Sequence, residues 1–168
     1  MVNGVVNCVV NSATVSAARR VRGFTLPEVL AVVAIVAILA SVAAPALTSM
    51  IASMRARSVS SELYAALSRA RSEAIKRNAE VTLAPVTARQ WHSGWSIADP
   101  GNAARKLDDH PAVPGATVTG PASVVFLPNG RVKNGGTPAF DIALAGNSAH
   151  RCVRVDLSGR PNQTNATC

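Results

Sequence analysis

The sequence has few aromatic side chains and lacks the common motifs of catalysis. Aromatic residues make up 4% of the 168 positions, which leaves few rings for stacking single-stranded nucleic acid. No nucleophile elbow, phosphate-binding glycine loop or metal-ligand spacing accompanies the three histidines, His92, His110 and His150. We therefore expect no enzymatic activity, no metal site and no cofactor.

Charge is absent from residues 29–47, and this run is long enough for a helix to cross a ~30 Å hydrocarbon core. Arg19, Arg20 and Arg22 precede the run and should stay cytoplasmic, so the following residues lie beyond the membrane. In a secretory signal peptide the small residue at the cleavage site follows the apolar segment, whereas Gly23 precedes it here. Cleavage at Gly23 would leave the anchor on the protein.

Glu28 is a lone carboxylate at the edge of this apolar run. An ionisable group there is costly and suggests a functional role with a partner of opposite charge. The alternative is a carboxylate that lies at the lipid headgroups or favours the positive end of the helix dipole.

The segment after the basic leader, Gly23-Phe24-Thr25-Leu26-Pro27-Glu28, resembles the signal of type IV pilins and type II secretion pseudopilins. The resemblance implies that residues 1–23 are a leader, which prepilin peptidase removes between Gly23 and Phe24 before it methylates the Phe24 amine. It also implies that Glu28 pairs with the N-terminal amine of a neighbouring subunit during assembly. An unrelated single-span membrane protein would explain the hydrophobicity but not this combination.

The helical pattern extends over residues 24–78, with a transmembrane half at about 28–48. Pro45 lies inside the span and is expected to kink or loosen it. Beyond the membrane an apolar stripe predicts packing on a domain, and its members are Ile51, Met54, Val59, Leu63, Leu67, Ala70 and Ala74.

Short strands separated by Gly, Pro and Asn turns are predicted in residues 79–168, which would form a periplasmic antiparallel β domain. The predicted strands are 80–86, 95–98, 116–119, 123–127, 131–133, 139–144 and 151–157. Asn129-Gly130 predicts a hairpin, whereas residues 99–115 are expected to be an exposed loop. The fold class is therefore α+β, with a long N-terminal helix packed against a small antiparallel sheet.

The cysteines indicate an oxidising compartment. Cys8 leaves with the leader, so Cys152 and Cys168 remain as an even pair on the extracytoplasmic side. Such a pair predicts one disulfide that joins the last strand to the C-terminal tail, and two reduced cysteines are the alternative.

Later segments resemble the GspH/FimT family of minor pilins and pseudopilins, over nearly the whole mature chain. They are residues 69–77 (RARSEAIKR), 91–95 (WHSGW), 125–130 (VFLPNG) and 151–160 (RCVRVDLSGR). Trp91 and Trp95 are expected to be core aromatics. The resemblance implies assembly into a type IV pilus or a type II secretion pseudopilus. The implied partners are prepilin peptidase, other pilins or pseudopilins, the assembly platform and inner-membrane lipid.

Some family members bind DNA during natural transformation. Without the three leader arginines, the 17 basic and 9 acidic residues leave a formal charge of +5. The candidate phosphate-binding residues are Arg131, Lys133, Arg151, Arg154 and Arg160. The DNA-binding members carry Gly-Arg-x-Arg near the C-terminus, but in Gly159-Arg160-Pro161-Asn162 the second arginine is replaced. Ordinary surface arginines are the alternative.

Overall fold

One long helix, α1 (Leu26–Arg77), precedes a series of antiparallel strands in the computed structural model, which describes residues 23–145 and 150–168. The strands are β1 (Val81–Thr87), β2 (Gln90–Asp99), β3 (Asn102–His110), β4 (Ala116–Thr119), β5 (Val124–Phe126), β6 (Ala139–Leu144), β7 (His150–Val155) and β8 (Pro161–Thr164). They form two sheets, β3-β2-β1-β5 and β4-β6-β7-β8, instead of the single sheet expected. The predicted α+β fold is confirmed. The predicted leader, residues 1–23, lies outside the described residues except for Gly23.

The C-terminal half of α1 buries one stripe against the strands. Its buried residues are Ala56, Val59, Ser60, Leu63, Ala66, Leu67, Ala70 and Ala74. Two residues predicted for this stripe, Ile51 and Met54, are instead 44% and 58% exposed. The stripe continues from Val59 through Ala56 to the partly buried Ala52, at helical spacings of three and four, so Ile51 and Met54 fall on its flank.

Two buried tryptophans on β2 contribute to the core, as predicted. Trp91 is fully buried and meets Phe140 of β6 edge to face, with ring centroids 4.7 Å apart. Its indole N–H donates to the carbonyl of Pro121 at 2.7 Å, so the buried polar group is satisfied. Because β2 and β6 belong to different sheets, this aromatic pair joins the two sheets.

The prediction of a loop at residues 99–115 is wrong, because β3 occupies most of it. The preceding strand, β2, also begins earlier than the predicted residue 95, at Gln90. β3 is an edge strand without the apolar alternation on which the sequence argument relied. Main-chain pairing with β2 and contacts with α1 hold it. Arg69 donates to the carbonyl of Leu107 at 3.0 Å and lies 3.3 Å from the Asp108 carboxylate.

The strand predicted at residues 131–133 is reduced to an isolated bridge between Val132 and Phe126. The preceding turn is also different from a simple Asn-Gly turn: Gly130 donates to the carbonyl of Leu127, and Leu127 donates to the carbonyl of Arg131, both at 2.8 Å. Gly130, at φ +78°, therefore ends a longer hairpin loop. A 3-10 turn (Lys133–Gly135) follows, in which Asn134 has φ +64° and interrupts the extended chain.

The strand predicted at residues 151–157 ends early, at Val155, and a hairpin turn leads into β8, which was not predicted. Asp156 organises the turn. Its carboxylate accepts hydrogen bonds from the Ser158 hydroxyl at 2.7 Å and from the Arg160 N–H at 2.9 Å. These bonds lower the pKa of Asp156. Pro161 is tolerated because it is the first residue of an edge strand.

The two hairpin turns contact each other beside α1. Arg71 of α1 donates from Nε to the carbonyl of Gly130 at 3.0 Å and reaches the carbonyl of Ser158 at 3.5 Å. Gly159 has φ +81°, and a Cβ added there would overlap the carbonyl oxygen of Gly130. The junction therefore requires glycine for both its backbone conformation and its close approach.

We expect Gly159→Ala to destabilise the protein by about 3 kcal/mol or more, since the strain of a positive φ and a main-chain clash combine. Gly115→Ala is the matched control, because Gly115 has φ +77° but no atom within 4 Å of an added Cβ. It should cost about 1 kcal/mol. Urea unfolding in detergent, followed by the fluorescence of Trp91 and Trp95, measures the stability of both variants. Equal destabilisation by Gly159→Ala and Gly115→Ala would contradict the predicted clash.

Candidate functional site

The residues of the predicted cleavage site precede α1 and lie open to solvent. Gly23, Phe24 and Thr25 are non-helical, and α1 begins at Leu26. The Phe24 side chain is 81% exposed, and a Cβ added to Gly23 would meet no atom within 4 Å. The peptide bond between Gly23 and Phe24 is therefore sterically accessible within the described part of the chain.

Glu28 has a local hydrogen bond at the start of α1 that the sequence analysis did not assign. The Thr25 carbonyl accepts from the N–H groups of Glu28 at 3.1 Å and Val29 at 3.2 Å, so Thr25 is the N-cap. The Thr25 N–H in turn donates to the Glu28 carboxylate at 3.4 Å. The Thr-x-x-Glu spacing of Thr25 and Glu28 is typical of a capping box and could have revealed this bond from the sequence. The bond is long and exposed, so Glu28 stays accessible to another partner.

The apolar part of α1 is long and apolar enough to cross a membrane. Its most apolar 18 residues have a mean hydropathy of 2.7, and none of them is buried. Leu30 and Leu39 are typical, at 61% and 64% exposed. A surface of this kind needs lipid or other apolar helices around it.

Pro45 lies within α1, which is assigned as one helix through it. Pro45 has no N–H to donate to the carbonyl four residues earlier. The Thr48 hydroxyl donates to the Pro45 carbonyl at 2.9 Å, and the Ser49 hydroxyl donates to the Ala46 carbonyl at 3.0 Å. The kink at Pro45 stays a prediction.

Cys152 of β7 forms the predicted disulfide with Cys168. Two hydrogen bonds hold the same end of the chain: the Cys168 N–H donates to Asp141 at 3.3 Å, and Arg154 donates to the Cys168 main-chain oxygen at 3.1 Å. The C-terminal segment is thereby fastened to β6 and β7.

The five cations proposed for DNA do not form one continuous edge. Arg151 and Arg154 are three residues apart on β7, so their side chains leave opposite faces of the strand. Arg151 donates to Asn165, which lies opposite it on the neighbouring chain segment. Lys133 is 2.8 Å from the Glu80 carboxylate, which offsets its charge.

Arg131 and Arg160 are brought together by the contact between the two hairpin turns. Arg131 donates from Nε to the carbonyl of Leu157 at 3.2 Å, and its Cα would lie 3.2 Å from a Cβ added to Gly159. Arg160 follows Gly159 directly and is exposed. This pair is the part of the predicted basic edge that the fold assembles.

Two side-chain networks attach α1 to β2 and β3, and no local sequence signal reveals them. The His110 ring stacks on Trp95 with centroids 3.9 Å apart, and His110 Nε2 is 3.0 Å from the Glu62 carboxylate. At the end of α1, Arg77 lies 3.2 Å from the buried Asp99 and 2.6 Å from Glu73. The hydrogen bond from Arg77 lowers the pKa of Glu73.

Comparison with known proteins places these features in a family. The protein-family model described as "Type II transport protein GspH" matches residues 59–159, and the family model "Prokaryotic N-terminal methylation motif" matches residues 18–44. Two crystal forms of the Pseudomonas aeruginosa (strain PAO1) type IV minor pilin FimU share this fold, with a TM-score of 0.58 and 24% identity. The matched region covers 64% of this chain and 91% or 87% of the FimU chain in the two crystal forms. No curated protein matches the sequence significantly.

A long apolar helix with a methylation motif, followed by antiparallel strands, defines a pilin-like protein. The chain belongs to the GspH family. The N-terminal methylation motif implies processing by prepilin peptidase, and together with the apolar helix it supports anchoring in the inner membrane.

Replacing both Cys152 and Cys168 by serine should lower the free energy of unfolding by about 3 kcal/mol, because the disulfide restricts the unfolded chain. Denaturant unfolding of the full-length protein in detergent measures this change. A reducing agent should destabilise the parent protein similarly and leave the double variant unaffected. Equal stability of oxidised parent and variant would contradict a stabilising role.

Proposed function

We propose that this chain is a minor subunit of a type IV pilus or a type II secretion pseudopilus, made as a precursor that prepilin peptidase cleaves between Gly23 and Phe24. The observation that carries the proposal is the exposed Gly23-Phe24 bond directly before a capped helix whose residues 29–47 are uncharged, on a chain of the GspH family. Enzymes that cut at such a bond need an accessible, non-helical segment, and residues 23–25 supply one.

The apolar part of α1 anchors the subunit in the inner membrane before assembly, and the strands lie in the periplasm. The three arginines before Gly23 favour this orientation by the positive-inside rule. The disulfide between Cys152 and Cys168 fits an oxidising compartment. Both features support a domain outside the cytoplasm.

Glu28 guides docking of the subunit into the base of the filament. After cleavage the amine of Phe24 is the N-terminus, and Glu28 pairs with that amine on a neighbouring subunit. The exposed bond from Thr25 to Glu28, at 3.4 Å, is weak enough to be exchanged for such a charged partner. The peptidase, the other pilins and the assembly platform are the partners that this sequence of events requires.

Mass spectrometry of the protein isolated from cells tests the processing step. The parent should begin with methylated Phe24, whereas Gly23→Leu should retain its leader, because a branched side chain obstructs the scissile bond. A parent protein that begins at another residue, or that keeps residues 1–23 in the presence of the peptidase, would refute the proposal.

Glu28→Gln should be cleaved and methylated normally. Its incorporation into filaments should fall by about tenfold or more, since a hydrogen bond to a charged group contributes about 1.5–3 kcal/mol. Quantitative immunoblotting of sheared filaments against whole cells measures incorporation. Lys76→Gln, at an exposed position near the end of α1, is the control for changing one charge. Normal incorporation of Glu28→Gln would show that the carboxylate serves only the helix start.

A second candidate role is DNA binding at the two hairpin turns, favoured by the proximity of Arg131 to the turn that carries Arg160. Arginines on two contacting turns suit phosphate contacts, which bind DNA without reading its sequence. Lys133 contributes less, because the Glu80 carboxylate offsets its charge, and Arg151 donates to Asn165, outside the two turns.

The full-length protein in detergent should bind double-stranded DNA with an affinity that falls with salt, and Arg160→Ala should reduce that salt slope by about 1. Arg57→Ala removes an equal charge from the exposed surface of α1 and should leave the slope unchanged. Undetectable binding, or equal effects of the two variants, would remove this second role.

A further inference from the structure

Arg55 is the first charged residue after the apolar run of α1, since no charge lies between Glu28 and Arg55. Its side chain is exposed, and no hydrogen bond or ion pair to it is found in the described part of the chain. By contrast, Arg69, Arg71 and Arg77 of the same helix donate to carbonyls or carboxylates of the strands and turns. Arg55 is therefore a cation available to an anionic ligand.

Two small cavities between α1 and the strands meet at Arg55 and Leu144. The first, of about 210 Å³, is called the Arg55 recess here. Its lining residues are Thr48, Ile51, Ala52, Arg55, Gly115, Leu144 and Ala145. The second, of about 260 Å³, extends along α1 as far as Glu62. Among the described residues, Arg55 is the only titratable group that lines the recess, so the recess is largely apolar with one cation.

Leu47, Ile51 and Arg55 follow one another at intervals of four residues and therefore lie on one face of α1. Leu47 is 59% exposed and Ile51 is 44% exposed. The strands cover only part of Ile51, which leaves apolar surface directly beside the cation. From the membrane outward, this face presents two apolar side chains and then a positive charge. A phospholipid presents its acyl chains and its phosphate in the same order.

The position of Arg55 along α1 suits the lipid headgroup layer. Eight residues separate it from Leu47, the end of the apolar run, which corresponds to ~12 Å of helix. The headgroup region extends roughly 5–8 Å beyond the hydrocarbon on each side of a bilayer. Helical side chains lean toward the N-terminus of their helix, so a long arginine side chain can lead back toward the membrane. The guanidinium group is thus within reach of lipid phosphates.

Glu62 is the only carboxylate among the described residues that line the two cavities. Its oxygens already have partners, because the Ser58 hydroxyl donates to one at 2.8 Å and His110 Nε2 lies 3.0 Å from the other. Glu62 is also seven residues beyond Arg55, which places it ~10 Å farther along the helix. An anion on the membrane side of Arg55 therefore avoids this carboxylate.

We propose that the Arg55 recess binds the headgroup of an anionic phospholipid of the inner membrane. The phosphate pairs with the Arg55 guanidinium, and an acyl chain packs on Ile51 and Leu47. An anionic headgroup is favoured over a zwitterionic one because the recess has a cation and no carboxylate, so a headgroup ammonium would find no partner there. The bound lipid holds this end of the domain at the membrane surface before assembly. The membrane as the source of the ligand rests on the proposed function.

Native mass spectrometry of the full-length protein in detergent, titrated with phosphatidylglycerol or phosphatidylcholine, tests this site. We expect the parent to bind one molecule of phosphatidylglycerol about tenfold or more tighter than phosphatidylcholine. Arg55→Ala should weaken phosphatidylglycerol binding by about tenfold or more, because a charge-assisted contact with the phosphate is lost. Arg55→Lys should retain most of the binding, since an ammonium group also pairs with phosphate.

Arg57→Ala is the matched control. Arg57 is exposed, carries the same charge and lines neither cavity, and two residues further along α1 it points about 200° away around the helix. Its replacement should leave the affinity for phosphatidylglycerol unchanged. Urea unfolding of Arg55→Ala and Arg57→Ala, followed by tryptophan fluorescence, should match the parent, because neither side chain has a partner in the described part of the chain.

Equal effects of Arg55→Ala and Arg57→Ala would overturn the proposal, because the lipid would then respond to net charge alone. Equal affinity for the two lipids, or no binding of phosphatidylglycerol, would also overturn it. Displacement of the lipid by an equal concentration of inorganic phosphate would do the same, since the recess would then recognise a free anion. Methylation of Phe24 in the same preparation reports on the proposed function separately, so the two ideas can fail independently.

Discussion

Burial of one stripe of α1 against two antiparallel sheets is the interaction on which the rest of this structure depends. Leu63, Leu67 and Ala70 are fully buried in it, and each leucine contributes about 1.5–3 kcal/mol by leaving water. The strands alone could not form a comparable apolar core, because β4, β5 and β8 are only three or four residues long. The helix is thus both the membrane anchor segment and a structural layer of the domain.

Polar contacts of α1 hold two hairpin turns and the edge strand β3 beside this stripe. Arg71 holds the two hairpin turns, and Arg69 and Glu62 hold β3. These side chains flank the apolar stripe, so burial and hydrogen bonding act on the same helix. Long cationic side chains suit this role because they reach main-chain carbonyls from the rim of the core.

The same arrangement explains why few of the arginines are available for other partners. Arg71 donates to carbonyls of the turns, and Arg154 donates to the C-terminal segment. A count of basic residues in the sequence therefore overstates the surface that could neutralise phosphates.

The N-terminal signal, the apolar span, the helix and most strand positions could be read from the sequence, because each depends on neighbouring residues or on a short periodicity. The signal around Gly23, Phe24 and Glu28 could be recognised from its resemblance to pilin signals, and the pairing of Cys152 with Cys168 needed only their number. The tertiary structure alone decided that β3 is a strand, that Gly159 must approach Gly130, and that Arg55 lines an apolar recess. Those features depend on contacts between residues distant in the chain, where main-chain pairing and side-chain geometry outweigh local preference.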